Sequence, residues 1–330
     1  LQARESHFNV LVRQYSLMVV FKVIVATGLL AIGGILVMEQ LMNIGQFIAA
    51  EIIILMVMSS VEKLILSLET IYDVLTALEK VGQVTDLELE VDEGENLESH
   101  CADCGLKVEL KDVFFTYPTK KERVLNGINL KIEPNEKVAI TGRNSSGKST
   151  LLHVISGFYD VEEGHIAYGG FSKGNINLNS LRSVIGGSLN QEVLFERTVL
   201  DNISIGRMNA GLENVQWALE NVGLTEFVKS MPKGLNSEIE PMGKGLPRSV
   251  IQKLLLARSI AGKPKLLLIE DSLEHLDSED RNRIAGFLFD SKRPWTLVMI
   301  STDKGILEMA DRTIELEKGK VLEMKKSKKQ

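Results

Sequence analysis

The stretch "VAITGRNSSGKSTLLHVISG", Val138 to Gly157, places Gly142, four residues, and then Gly147, Lys148 and Ser149. That spacing is the phosphate-loop pattern, and it lies between a strand-like run and a helix-like run, as such a loop requires. Glycines let the backbone wrap phosphates without Cβ clashes. The amides and the positive end of the following helix then face the anion. The candidate cradle is Gly142, Arg143, Asn144, Ser145, Ser146, Gly147, Lys148, Ser149 and Thr150. Lys148 would bridge the β- and γ-phosphates of ATP, Ser149 would ligate Mg²⁺, and Thr150 would be a neighbouring contact.

A phosphate loop needs a parallel sheet behind it, and the pattern from Leu106 onward supplies one. "LKVELKDVFFTY" and "GINLKIEPNEKVAIT" read as strands, with alternating or continuous apolar character. "KPKLLLIEDS" carries an apolar run, Leu266 to Ile269, that reads as a strand buried on both faces. Residues 106–330 are therefore expected to form an α/β nucleotide-binding domain.

The first 85 residues are different. The chain has 330 residues, 25% of them charged, yet its mean hydropathy is +0.06, so very apolar segments must lie beside ordinary soluble ones. "LMVVFKVIVATGLLAIGGILVM", Leu17 to Met38, has Lys22 as its only charge. As a helix it would measure roughly 33 Å, enough to cross a bilayer. A second run, Ile44 to Val61, contains Glu51, and only "EQLMN" separates the two. A buried hairpin in a soluble protein would show a polar stripe. A signal peptide would have a shorter core and no second span. Arg13 and Lys63 flank the pair, so the positive-inside rule puts both ends in the cytoplasm. Glu51 then either faces a pathway or partner helix, or sits shallow at the interface. The net charge of −6 argues against nucleic acid as a partner.

Beyond the second run, Leu64, Leu68, Ile71, Leu75 and Leu78 recur every three or four residues, which predicts an amphipathic helix extending into the cytoplasm. Residues 1–85 are thus read as a transmembrane hairpin with a helical extension, and residues 86–105 as an acidic linker. Cys101 and Cys104 lack the second pair that a zinc site usually needs, and read as two thiols in a turn. The closing "MKKSKKQ" reads as a solvated tail.

With the spans and the phosphate loop joined, the chain resembles an ATP-binding cassette (ABC) exporter. The likeness covers nearly all of it: the last two membrane helices and one nucleotide-binding domain, with a helical subdomain at about residues 190–258. "MNIGQFIAAEIIILMVMSSVEKLILSLETIYDVL" is most similar to exporters encoded beside periplasmic adaptor proteins, including those of Bacteroidetes. The resemblance implies ATP and Mg²⁺ as cofactors, a second ABC subunit (homo- or heterodimer), further transmembrane helices and a periplasmic adaptor. It also implies a bacterial inner membrane with the cassette on the cytoplasmic side.

It assigns roles residue by residue. In "FFTYP" Tyr117 takes the place of the aromatic that stacks on adenine. In "IGGSLNQEVLFERTVLDNI" Asn190 takes the place of the glutamine that reaches Mg²⁺, with Gln191 one residue late. Glu270 falls where the family has the magnesium-associated aspartate, and Asp271 where it has the glutamate that polarises water. The pair is swapped, so the catalytic carboxylate is shorter by about 1.5 Å, and geometry dominates phosphoryl transfer. "EHLD" retains Asp277 of the loop that touches the opposite subunit. Thr302, followed by Asp303, stands at the family's switch histidine. "LPRSVIQKLLLARSI" keeps Leu246, Gln252, Leu256, Ala257 and Arg258 of the signature helix, but has Pro247, Arg248, Ser249 and Val250 where the family has a serine, two glycines and a glutamine. In the family this segment contacts the γ-phosphate held by the other subunit.

Two functional readings follow. In the first, the chain is an energy-coupled exporter subunit, supported by the spans and the intact phosphate loop. In the second, it is a nucleotide-responsive membrane subunit with little catalysis, supported by Asn190, Asp271, Thr302 and the altered signature. A chain starting at "LQARESHFNV" also reads as a fragment of a longer polypeptide or as a truncated gene product. No residue present reads the transported cargo.

Overall fold

A single apolar run satisfies its own backbone in an apolar medium by forming a helix, and both apolar runs are helical in the computed structural model. It describes residues 2–87, 89–90, 93–100, 104–189 and 193–326. Helix α1 is Gln2–Met38 and α2 is Ile44–Thr85. The first helix begins well before its apolar core, and the second continues without a break into the amphipathic stretch. Asn43 starts α2 with a capping box: its side chain accepts from the Gln46 amide at 2.8 Å, and Gln46 Oε1 accepts from the Asn43 amide at 3.0 Å.

Both helices are long and apolar enough to cross a membrane, and only 6% and 0% of their most apolar windows are buried. Phe21, Ile24, Ile53 and Met56 all face outward. The core hairpin of a soluble protein would be covered. Lys22, the one charge in the first run, pairs with Glu62 just beyond the second, so the hairpin matches charge with charge at that level.

The chain divides into two compact units, Leu1–Leu89 and Glu90–Gln330. In the second unit the helices are α3 (Leu97–His100), α4 (Lys148–Ile155), α5 (Leu178–Val184), α6 (Val199–Ser204), α7 (Leu212–Val222), α8 (Thr225–Ser230), α9 (Arg248–Ala261), α10 (Ser278–Phe289) and α11 (Lys304–Met309). The strands are β1 (Val108–Phe115), β2 (Leu125–Ile132), β3 (Lys137–Gly142), β4 (Glu163–Tyr168), β5 (Phe171–Ser172), β6 (Ile185–Ser188), β7 (Arg197–Thr198), β8 (Glu238–Ile239), β9 (Leu266–Glu270), β10 (Thr296–Ile300), β11 (Arg312–Glu317) and β12 (Lys320–Lys326).

The central sheet runs β12-β11-β3-β10-β9-β6, with β11, β3, β10, β9 and β6 parallel and β12 antiparallel at the edge. A second, antiparallel sheet runs β2-β1-β4-β5. The continuous apolar character of β9 and β10 follows from their position. Leu267, Ile269, Leu297 and Met299 pack into one core, with the helices α6 to α10. Leu266, Leu268, Val298 and Ile300 pack into another, with the antiparallel sheet and α4. Alternate side chains of one strand thus serve two cores, and the polar residues, Thr296 and Glu270, stand at the strand ends.

Within the segment read as an acidic linker, Glu90 onward clusters with the cassette. Leu97 is fully buried, its amide donates to Ser180 Oγ at 2.7 Å, and Glu90 binds Arg182 through both carboxylate oxygens, at 2.5 and 2.6 Å. Cys101 lies outside the described residues.

A buried Arg–Asn pair ties the helical part together. Arg258, 5% exposed, donates to the carbonyls of Asn202 (2.7 Å) and Val193 (3.0 Å) and to Asn202 Oδ1 (3.1 Å). Asn202 in turn donates to the carbonyls of Phe195, Arg197 and Thr198. Arg258→Ala would leave buried acceptors unpaired at about 1–3 kcal/mol each. A loss of about 3 kcal/mol or more in unfolding free energy is expected, read as a lower midpoint in thermal or urea unfolding. A change under about 0.5 kcal/mol, the usual range for surface substitutions, would contradict that role.

Candidate functional site

Strand β3 lies between β11 and β10 and delivers the phosphate loop at its carboxyl end, where open parallel sheets place ligands. Gly142 has φ 147° and passes so close to β11 that a Cβ would stand 2.3 Å from the Leu316 carbonyl oxygen. Gly147, at φ 102°, turns the chain into α4. Both glycines of the motif are therefore required by the backbone itself. Between them Arg143, Asn144 and Ser145 are exposed, and Ser145 is also left-handed at φ 62°. Ser146 is buried, and its hydroxyl makes no hydrogen bond among the described residues. Lys148 donates to the carbonyls of Gly142 and Arg143, both at 2.9 Å, which folds its ammonium back over the loop. Ser149 is exposed.

Thr150 is buried, and its hydroxyl lies 3.0 Å from that of Tyr117. The Tyr117 ring stands edge-on to Phe115 and Tyr159, with centroids 5.1 and 5.6 Å apart, and the Lys120 ammonium lies 5.7 Å from the ring centre. The candidate adenine platform is thus a half-buried aromatic cluster joined to the phosphate loop through Thr150.

The carboxylate pair ends β9. Glu270 is 5% exposed and sits opposite Ile300 of β10. Asp271 leaves the strand in a left-handed conformation, φ 47°. Aspartate tolerates that region better than most side chains. Partial desolvation, with the negative charges of Glu274 and Glu270, pushes the Asp271 carboxyl above the usual aspartate range, while Lys148 pulls it back. The phosphate-loop lysine is thus within electrostatic reach of Asp271.

Asp271 and Thr302 line one cavity of about 270 Å³, with Ser272, Glu274, Arg281 and Asp303. The Asp303 carboxylate is engaged within the fold: it caps α11, accepting from the Gly305 and Ile306 amides, and lies 3.5 Å from Arg281. A larger groove of about 1140 Å³, with Phe158, Lys173 and Arg182 in its walls, contains none of the residues singled out from sequence. Chemistry, not size, identifies the site here.

The signature segment stands apart from that cavity. Pro247 precedes the first residue of α9 as its N-cap and offers no side-chain hydrogen bond. Leu246 and Ser249 are half-buried, while Pro247 and Arg248 are exposed. Asn190 and Gln191 lie outside the described residues. Two features were not singled out from sequence. One is the Ser188–Ser272 hydroxyl pair, 2.8 Å apart, which joins the ends of β6 and β9. The other is Arg281. Both depend on residues that meet only in the folded sheet.

A phosphate loop, a buried strand ending in carboxylates, and helices flanking a parallel sheet define a nucleotide-binding cassette. Residues 125–273 match the ABC transporter family. The chain is 31% identical over 280 residues to an ATP-dependent lipid A-core flippase of Methylobacillus flagellatus, covering 84% of this chain and 48% of that protein. It is 28% identical over 297 residues to an alpha-hemolysin translocation ATP-binding protein of Escherichia coli, covering 90% and 42%. A solved bacterial Atm1-family ABC exporter with ATP bound shares the fold, with a TM-score of 0.72, 23% identity, and coverage of 86% of this chain and 50% of that one. The fold, two long apolar helices followed by a nucleotide-binding cassette, is the one that this solved exporter shows. The chain spans about half the length of the relatives it matches.

Proposed function

We propose that this chain is the ATP-binding part of an exporter of the bacterial inner membrane, coupling ATP binding and slow hydrolysis to transport. The observation that carries this reading is the phosphate loop at the end of β3, with Glu270 and Asp271 at the end of β9 in the same parallel sheet. In it the amides of Gly142 to Thr150 and the Lys148 ammonium hold the phosphates. Tyr117 takes the adenine. Asp271 accepts a proton from the attacking water, a role its raised pKa favours.

The cradle suits a nucleotide: Gly142 has no room for a side chain, and the Ser146 hydroxyl is unpartnered among the described residues. Mg²⁺ binds through one or two carboxylates plus substrate phosphates. Glu270 and the exposed Ser149 hydroxyl fit that donor set, with Asn190 as the third candidate. The ion would supply charge neutralisation on the phosphates.

Slow turnover follows from three features. Asp271 is a shorter base than glutamate, Thr302 offers a hydroxyl in place of an imidazole, and Pro247 has no amide hydrogen for a partner's phosphate. Losing one transition-state donor costs about 2.7–4 kcal/mol. The exposed Arg248 is a candidate cationic replacement across a dimer of cassettes. A second ABC subunit, further membrane helices and a periplasmic adaptor complete the proposed assembly, and the adaptor-linked subtype rests on the wording of the second span. Pro247 and Thr302 also favour a second reading, a regulatory subunit that binds ATP without appreciable turnover.

Phosphate release by the lipid-reconstituted chain, with Lys148→Ala beside it, separates the two. Slow release that disappears in the variant is expected. ATP binding with no release above the variant would favour the regulatory subunit. Turnover in the ordinary enzyme range, about 1–10² s⁻¹, would overturn the proposal of slow hydrolysis.

A further inference from the structure

Arg281 lies in the first turn of α10 and is half-buried. Its guanidinium meets four acceptors on two separate loops. Nε donates to the Leu273 carbonyl (3.3 Å), and Nη2 donates to the carbonyls of Glu274 (3.4 Å) and Leu276 (3.0 Å). These three belong to the loop that leaves Asp271. Nη1 lies 3.5 Å from Asp303 Oδ2, on the loop that carries Thr302. Both loops bound the same cavity, and Arg281 lines it between them.

The loops leave adjacent parallel strands, β9 and β10, which end in register at Glu270 and Ile300. Past that point no ladder hydrogen bonds join them, and the candidate base and Thr302 both sit on the unpaired extensions. Something else must hold the two at a fixed separation. A guanidinium suits the task because its planar fork offers several donors in fixed directions, which an ammonium on a flexible stem does not.

We infer that Arg281 is a positioning residue of the proposed ATP-hydrolysing site, tying the loop of Asp271 to the loop of Thr302. The inference rests on the function proposed above. Its physical content is a coupling: loosening the Asp303 end should loosen residues 273–277, which, among the described residues, are linked to the Asp303 carboxylate by hydrogen bonds through Arg281.

The test uses the whole chain in lipid nanodiscs with MgATP. The variants are Arg281→Ala, Arg281→Lys and Asp303→Asn. Asparagine is as good an N-cap as aspartate, so Asp303→Asn removes the ion pair and leaves α11 capped. Two quantities are read: hydrogen exchange of the amides of residues 273–277 and 303–307, and kcat against KM for phosphate release. Arg281→Ala is expected to speed exchange in both segments. Asp303→Asn is expected to speed it in 273–277 as well. Arg281→Lys should resemble Arg281→Ala, since one ammonium cannot span both loops. Turnover in all three should fall by about 10-fold to 10²-fold with KM little changed, as for a misplaced catalytic group.

Unchanged exchange at 273–277 in Asp303→Asn would overturn the inference, as would wild-type behaviour of Arg281→Lys. If the wild-type chain releases no more phosphate than Lys148→Ala, the hydrolytic reading fails by itself. The exchange measurement then still decides whether Arg281 ties the loops.

Discussion

Lys148→Ala is expected to weaken MgATP binding by at least about tenfold and to abolish phosphate release. Three effects act in the same direction. The variant loses the ammonium that would bridge the phosphates, and a hydrogen bond to a charged group is worth about 1.5–3 kcal/mol. It also loses both tethers to the Gly142 and Arg143 carbonyls, so the loop that must present its amides is less well held. Finally, it removes the one positive charge that offsets desolvation, Glu274 and Glu270 at Asp271, so that carboxyl rises further. The first effect appears in the dissociation constant for MgATP, measured by isothermal titration calorimetry. The third appears only in the pH dependence of any residual turnover. Lys148→Met, similar in length and uncharged, separates loss of charge from loss of bulk. Wild-type affinity in both variants would show that the nucleotide is held elsewhere.

The phosphate loop was legible in the sequence because its parts are contiguous: strand, glycines, lysine and helix follow one another in the chain. Strand β9 was legible for a related reason. Burial on both faces writes an unbroken apolar run, and its last residues announce the carboxylates. The two long apolar helices could be recognised by hydropathy, but the start of α1 at Gln2 could not, because a hydropathy window marks the apolar core and not the helix around it. Leu97 shows the opposite difficulty. It is one of several apolar residues scattered through an acidic stretch, so charge density conceals that it is fully buried. The ties that organise the site were the least legible. Arg258 meets Asn202 across 56 residues and Arg281 meets Asp303 across 22. Neither spacing carries a periodicity. The first contact depends on how α9 packs on α6, the second on the strand order that sets β9 beside β10. The left-handed backbone at Asp271 likewise leaves no mark in composition, although it gives a physical reason for a short carboxylate at that position.

Asp271→Asn is expected to abolish turnover and, near neutral pH, to stabilise the cassette. Asparagine cannot accept the proton of an attacking water, but it tolerates the left-handed conformation at φ 47° about as well as aspartate. The backbone should therefore be undisturbed. The sign of the stability change follows from linkage. The Asp271 carboxyl is raised by partial desolvation, Glu274 and Glu270, so the folded state binds that proton more tightly than the unfolded chain. The neutral form then contributes stability below the unfolded value, and that contribution is lost as pH rises through the folded value. At neutral pH the ionised group is a burden on the fold, which the amide removes. The thermal midpoint of Asp271→Asn should exceed that of the wild type at neutral pH, and the gap should close as the medium is acidified toward the ordinary aspartate value of about 3.9. Glu274→Gln gives the complementary kinetic result. Removing one of the charges that raise Asp271 should move the acidic limb of the turnover profile to lower pH, because the base then ionises more readily. An acidic limb unmoved by Glu274→Gln, or a variant Asp271→Asn less stable than the wild type at neutral pH, would mean that Asp271 does not carry the strained charge on which its role as base depends.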